Sequence, residues 1–269
     1  LHAIVCIKQV PDTEAPVKVD TARGELLLAG MPTMVNVFDE YAIEEALLAR
    51  EKFGGKVTAL SMGPAEATEA LKKALAMGVD EAILLSDPQF EGADAWSTAY
   101  TLAQAIRKIG DFDLVFFGKQ STDGTTGLVA PAVARFLGIP ALTFVFKVRS
   151  LDPVGRKIVV ERLLEGRREV VESSLPAAVS VVKDINQPRY PTLLGIRKAS
   201  KMPVPVWTAA DLVAAGANPA GFGLQGSPSR VLRVEYPPAR AGKVELIGGA
   251  TPEEQAAALA DRLLGLKIL

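Results

Sequence analysis

The sequence predicts an α/β protein built on a doubly wound, mostly parallel sheet, and three observations carry that expectation. Short β-branched runs alternate with amphipathic stretches of helical period through the first two thirds of the chain. The runs are apolar on successive residues instead of every second one, as strands are when helices cover both faces of a sheet. The helical stretches have legible ends, with capping residues before them and glycine or proline behind.

Ala3–Ile7 reads as a compact strand, and Val10–Thr13, holding Pro11 and Asp12, must leave the sheet. Asp39 caps a helix running to about Phe53, with Glu40 in its positive first turn and Ala42, Ile43, Ala46 and Leu47 on one face. Lys56–Met62 is the next strand. Pro64 opens a second helix, which Gly78 closes. After the strand Ala82–Leu85, Asp94 caps a third helix whose Ala99, Leu102, Ala103 and Ile106 form an inner stripe ending at Gly110. Leu114–Phe117 is a strand, Thr126–Leu137 a helix stopped by Gly138 and Pro140, and Leu142–Val148 a further strand. Beyond Val148 the pattern changes to an antiparallel hairpin, Lys157–Leu164 with Glu169–Ser173, followed by a strand at Ala177–Lys183. From Asn186 to Pro205 four prolines and the basic residues Arg189, Arg197, Lys198 and Lys201 make a surface loop. The tail adds a strand-like run, Val231–Tyr236, and an amphipathic helix, Pro252–Leu264. The domain reading is an α/β nucleotide-binding unit at 1–185, a loop at 186–206 and a C-terminal arm at 207–269.

Composition narrows the function. Thirty basic residues against 31 acidic ones give a charge of −1, so nothing draws the chain as a whole to nucleic acid or anionic membrane. One cysteine, Cys6, and one histidine, His2, leave no internal disulfide, no zinc set and no Cys–His or Ser–His pair away from the terminus. No catalytic residue and no metal ligand is assigned. No signal peptide is visible, and the longest apolar stretch, Leu128–Phe146, is broken by Pro131, Arg135, Gly138 and Pro140. A soluble, cytoplasmic protein is expected, in keeping with the cysteine count.

Two glycine-bearing segments invite a phosphate. Gly221–Gly226 fits the dinucleotide pattern letter for letter, yet Asn218 and Pro219 precede it where a strand is required, so it is read as a flexible loop. The stretch Gly118–Gly127 has the right setting, following a strand at its carboxyl end and leading into a helix. Its backbone N–H groups and hydroxyls can hold a phosphate, or it is a long polar loop and no more. Asn36–Asp39 also stands at a helix start. Cys6 reads as a buried small apolar group. The basic residues near 190, interleaved with Tyr190, Leu193, Leu194 and Ile196, form either a solvated loop face or a docking patch.

Taken together, Cys6–Thr13, Asn36–Ala46, Ser61–Pro64, Ala74–Asp80, Gly118–Asp123 and Asn186–Leu193, in that order, resemble the β subunit of electron-transfer flavoprotein over nearly the whole chain to about Trp207. The resemblance implies a Rossmann-like, adenine-nucleotide-binding fold and a heterodimer with an α subunit. It implies FAD between the subunits, held mostly by α, and a structural AMP in β, with a second FAD in its place in a bifurcating, NADH-linked group. It implies electrons taken from dehydrogenases such as acyl-CoA dehydrogenases and passed to a quinone-linked acceptor, the chain being a carrier and not an enzyme. The implied nucleotide pocket takes in Cys6; Asn36, Val37, Phe38 and Asp39; Ser61; and the run Phe117, Gly118, Lys119, Gln120, Ser121, Thr122, Asp123, Gly124, Thr125, Thr126, Gly127 and Leu128. The implied recognition loop carries Leu193 as its anchor, with Arg189, Tyr190, Ile196, Arg197 and Lys198 around it. Val37 stands where the family commonly has proline, and Thr125, Gly127 and Leu128 stand where acidic or amide side chains are usual. Gly92–Thr98 is similar to the bifurcating group. A stand-alone adenine-nucleotide sensor or hydrolase is the rival class.

Overall fold

In a computed structural model of the chain, which describes residues 1–27, 30–238, 242 and 244–268, the sheet is built outward from the first strand. β1 (His2–Cys6) lies in its middle. The chain then leaves the sheet for two small antiparallel pairs, β2 (Gln9–Pro11) with β5 (Thr33–Val35) and β3 (Val19–Asp20) with β4 (Glu25–Leu26). Crossover helices follow: α1 (Val37–Phe53) into β6 (Lys56–Met62), α2 (Thr68–Met77) into β7 (Glu81–Leu85), α3 (Ala95–Ile109) into β8 (Leu114–Gly118) and α4 (Val129–Leu137) into β9 (Ala141–Asp152). The hairpin β10 (Lys157–Leu164) and β11 (Arg167–Ser174), the inner strand β12 (Ala177–Val181), α5 (Leu193–Lys201), the short β13 (Val206–Trp207), α6 (Ala209–Ala214) and α7 (Pro252–Gly265) complete the order.

These strands make one nine-stranded sheet, β11-β10-β9-β12-β8-β1-β6-β7-β13. It is parallel from β9 to β13, and β10 and β11 extend it antiparallel. Alternation along β1 separates two cores. Ala3 and Val5 face α1, α2 and the buried Ala199 of α5, while Ile4 and Cys6 face α3, α4 and α6. Leu114–Gly118 and Ala177–Val181 are buried throughout, which explains why Ser180 is their one polar side chain.

Several expected boundaries move. Asn36, not Asp39, is the N-cap of α1, and Asp39 is buried in the first turn. α4 starts at Val129 instead of Thr126, because Thr126 Oγ1 accepts the Leu128 N–H (3.4 Å) in a local turn. Pro131 then falls within the first turn, where an N–H has no helical partner to lose. The expected loop at 186–205 contains a helix, α5, capped by Thr192, whose Oγ1 accepts the Gly195 N–H (3.0 Å). Val231–Tyr236 forms no strand. It is tied by a Val234 N–H to Gly24 carbonyl bond (2.8 Å) and by Tyr236 Oη accepting from the Val19 N–H (2.9 Å).

The segment assigned to the arm divides in two. Its first part belongs to the fold: Val206 and Trp207 pair with Leu84 and Leu85, and Ala209, Leu212, Ala217 and Phe222 are buried in the α3 side of the core. Gly221–Gly226 is a packed turn and not a flexible loop. A Cβ on Gly221 would meet the Tyr100 ring at 2.4 Å, and one on Gly226 would meet the Gly221 carbonyl at 2.1 Å. Those glycines answer to close packing. The rest of the arm ends in α7, which buries none of its residues. No described helix is long and apolar enough to cross a membrane.

Candidate functional site

After β1 the chain moves toward β6, whereas after β8 it moves toward β9 and β12, so direction reverses between β1 and β8. Open parallel sheets leave a crevice at such a point, outside the carboxyl ends of the strands. Here the residues closing that end are Cys6 and Lys8 after β1 and the Gly118–Leu128 segment after β8.

The start of α1 holds the two strand ends together. Asp39 Oδ2 accepts the Lys8 N–H (2.7 Å) and Oδ1 accepts the Gly118 N–H (3.1 Å), so one carboxylate joins both sides of the crevice. The approach needs glycine at 118, since a Cβ there would lie 2.4 Å from Asp39 Oδ1 and 2.7 Å from Phe38 Cβ. Asn36, 1% exposed, uses both ends of its amide on the loop. Its Nδ2 donates to the Gln120 carbonyl (2.9 Å) and its Oδ1 accepts the Thr122 N–H (3.1 Å). Lys8 Nζ reaches across to Asp123 (2.6 Å), and Lys119 is fixed by an N–H bond to the Val181 carbonyl (2.8 Å). The loop turns tightly through Ser121, whose carbonyl and hydroxyl accept from Thr125 and Gly124, with positive φ at Thr125 and Gly127. Thr125, Thr126 and Leu128 are exposed.

Burial sets the local electrostatics. It pushes the Asp39 carboxyl up to about 7, against the lowering effect of the Asn36, Lys8 and Gly118 hydrogen bonds and the Lys8 charge. Burial also pushes the Cys6 thiol up, and the neighbouring Asp39 charge adds to this, so Cys6 stays protonated and unreactive. At Asp123 burial acts upward, but the bonds and charge of Lys8 with the Ser121 bond outweigh it and hold the group below its ordinary value.

Two buried hydroxyls near this end have no protein partner: Ser61 Oγ, at the end of β6, and Thr122 Oγ1 in the loop. Buried polar atoms are rarely left so. A ligand carrying hydroxyls, ring nitrogens or phosphate oxygens fits them, and the N–H groups opening α4 suit an anion. The structure therefore brings Cys6, Asn36–Asp39 and Phe117–Asp123 together, with Ser61 one strand away. Lys8, which closes the crevice on the other side, was not among the expected site residues. Its signal was its place two residues after a central strand. A concavity of about 650 Å³ lies at the opposite ends of the strands, where Lys56 and Arg156 are already paired with Glu81 and Asp113.

At the other expected surface Tyr190, Leu193 and Leu194 are 93%, 86% and 79% exposed, and Ile196 also faces solvent. Leu193 does not pack beneath its own loop. Arg189 differs from its neighbours: its guanidinium turns inward to Glu44 and Glu51 of α1. Those two glutamates, seven apart, were not singled out from the sequence. An acid at 44 between the inward Ile43 and Ala46 is the sign that a cation must come to it.

A family profile for the electron transfer flavoprotein domain matches residues 27–212. The chain is 44% identical over 246 residues to an electron transfer flavoprotein subunit beta of Thermoanaerobacterium thermosaccharolyticum, covering 91% of this chain and 92% of that protein. It is 42% identical over 267 residues to Protein FixA of Bradyrhizobium diazoefficiens, covering 98% and 91%. It is 40% identical over 264 residues to the caffeyl-CoA reductase-Etf complex subunit CarD of Acetobacterium woodii, covering 98% of each. With its reversal-point crevice and a likeness running almost end to end, the chain belongs to the electron transfer flavoprotein family as a β subunit.

Proposed function

We propose that this chain is the β half of a cytoplasmic heterodimeric electron carrier whose FAD is held mainly by the α subunit, and that its own crevice holds AMP as a structural group. The dimer takes electrons from dehydrogenases such as acyl-CoA dehydrogenases and delivers them to a quinone-linked acceptor. The observation that supports this best is the crevice itself. Asn36 and Asp39 fix the loop, Ser61 and Thr122 offer unpartnered hydroxyls, and the one thiol is held protonated by its burial. Flavin supplies the electron chemistry when bound. This chain's part is to bind, position and dock. Ser61 and Thr122 would meet the ribose or base, and the N–H groups opening α4 the phosphate. The unburied α7, with Ala256, Leu259, Ala260 and Leu263 on one side, would lie on the α subunit.

A second reading, a bifurcating carrier with FAD in the crevice, draws support from Gly92–Thr98. That stretch opens α3 on the carboxyl side of the sheet, with Asp94 accepting from Trp96 and Ser97 N–H groups and from Ser229. Acid release from the purified α/β complex, read by mass spectrometry, separates the two. One FAD and one AMP per heterodimer are expected; two FAD and no AMP establish the second reading. Steady ATP hydrolysis by the isolated chain would overturn both.

A further inference from the structure

Arg189 lies 145 residues from Glu44 in sequence, yet the two are locked together. Arg189 Nε donates to Glu44 Oε2 (2.8 Å) and Nη2 to Oε1 (2.9 Å), a parallel pair, and the Arg189 main-chain N–H donates to Oε2 as well (3.1 Å). Nη1 and Nη2 also reach Glu51 (2.5 and 3.2 Å). Three residues earlier, Asn186 Nδ2 donates to the Tyr41 carbonyl and to Glu45 Oε2, both at 3.0 Å. All these partners belong to α1. Glu44 is 5% exposed, and a carboxylate so buried requires the cation that meets it.

The far side of the segment is held to α2. A Cβ on Gly195 would lie 2.4 Å from the Ala76 carbonyl, so α5 and α2 approach as closely as a glycine permits. Ala199 is buried between them, and Lys72 Nζ binds the Ala199, Ser200 and Met202 carbonyls (2.8, 3.3 and 2.5 Å) at the negative end of α5. Tyr190 thus stands between two anchors, Arg189 on α1 and α5 on α2, and Leu193 opens the second, both with their side chains in solvent.

We infer that Arg189 is a positioning residue for partner docking: its charge is used on α1, and it fixes the direction in which Tyr190 and Leu193 are presented. This rests on reading residues 186–201 as the docking surface. A free loop would lose its freedom on each encounter, whereas a latched one has lost it on folding, so the latch strengthens association without touching the partner. Lysine cannot replace it, because one ammonium does not supply two parallel donors and a reach to a second acid.

The test uses the α/β complex carrying wild-type β, Arg189→Lys, Glu51→Gln or Leu193→Ala. Three measurements are made: amide hydrogen exchange over 190–198, steady-state reduction by an acyl-CoA dehydrogenase with carrier concentration varied, and direct reduction by dithionite. Arg189→Lys is expected to speed exchange in that segment and raise KM for the carrier about tenfold, leaving kcat and dithionite reduction unchanged. Glu51→Gln, at a half-exposed partner that makes the outer of the two ion pairs, is expected to do the same more weakly. Leu193→Ala is expected to raise KM with exchange unchanged. A raised KM in Arg189→Lys with unchanged exchange means that Arg189 touches the partner, and overturns the proposal. So does faster exchange with unchanged KM while Leu193→Ala raises it. If neither variant moves KM, the docking reading itself falls, and the positioning role with it.

Discussion

Asp39 shows how much one buried carboxylate can hold. It joins the ends of two central strands, and burial places its titration near 7 instead of 3.8. Unfolded, the group loses its proton near the lower value; folded, near the higher one. Between them the folded chain keeps a proton that the unfolded chain has released, so this group's contribution to stability falls as pH rises from about 4 to about 7 and is level above that. Asp39→Asn removes the titration and leaves one of two N–H donors facing an NH₂ group, at a cost of about 1–3 kcal/mol. Urea unfolding at pH 5 and pH 8 is expected to show wild type losing stability over that interval relative to Asp39→Asn. Equal slopes would show that Asp39 does not titrate there. The sequence places both Asn36 and Asp39 at the start of the helix and points to Asp39 as its cap, whereas the cap is Asn36. Either residue type caps a helix well. What separates them is where Lys8 and Gly118 arrive, and no local pattern contains that.

The helices and inner strands were legible because burial on both faces leaves continuous apolar runs and because Asp94 and Gly78 mark ends in plain chemistry. α5 was hidden for the opposite reason. Pro191 and Pro203 read as breakers, yet Pro191 lies before the cap and Pro203 after the last turn, while Gly195 between them lets α2 come close. Its outer side is where the next expected outcome belongs. Leu193, at the first position of α5, gains nothing from solvent, and filling a partner's pocket is worth about 1.5–3 kcal/mol for a leucine. Leu193→Ala is expected to weaken docking about ten- to a hundredfold, with melting temperature and flavin content unchanged. Arg197 and Lys198 would add steering, so that association slows as salt rises. A melting point lowered by several degrees with unaltered dehydrogenase kinetics would instead place Leu193 in the core.

Strand order was the larger gap. Alternation implied a doubly wound sheet, but that β8 returns to the far side of β1, creating the crevice, depends on which strands pair, and pairing is written in contacts between distant segments. The tail was misjudged on the same account, since two residues of strand at 206–207 and a single phenylalanine at 222 are too little sequence to announce membership of the core. Shortening the chain separates the two parts of the tail. A chain ending at Ser227 is expected to melt within a few degrees of full length and to fail to retain the α subunit on co-purification. One ending at Pro205 loses the buried Leu212 and Phe222 and the partly buried Trp207, and fully buried side chains of this size contribute about 2–5 kcal/mol each, so it is expected not to fold. Retention of α by the first truncation would show that α7 does not hold it.

The two rims of the sheet bear on what happens before any partner arrives. An open nine-stranded sheet has two outer strands whose unpaired backbone groups are templates for another copy. On one side the outer strand is β11, which carries Arg167, Arg168, Glu169 and Glu172 along its length. On the other it is β13, only two residues long. The first repels an incoming strand by forcing charges out of water, and the second is too short to nucleate pairing. The edges of the sheet are thereby closed to a second copy of the chain, whatever the exposed α7 goes on to meet.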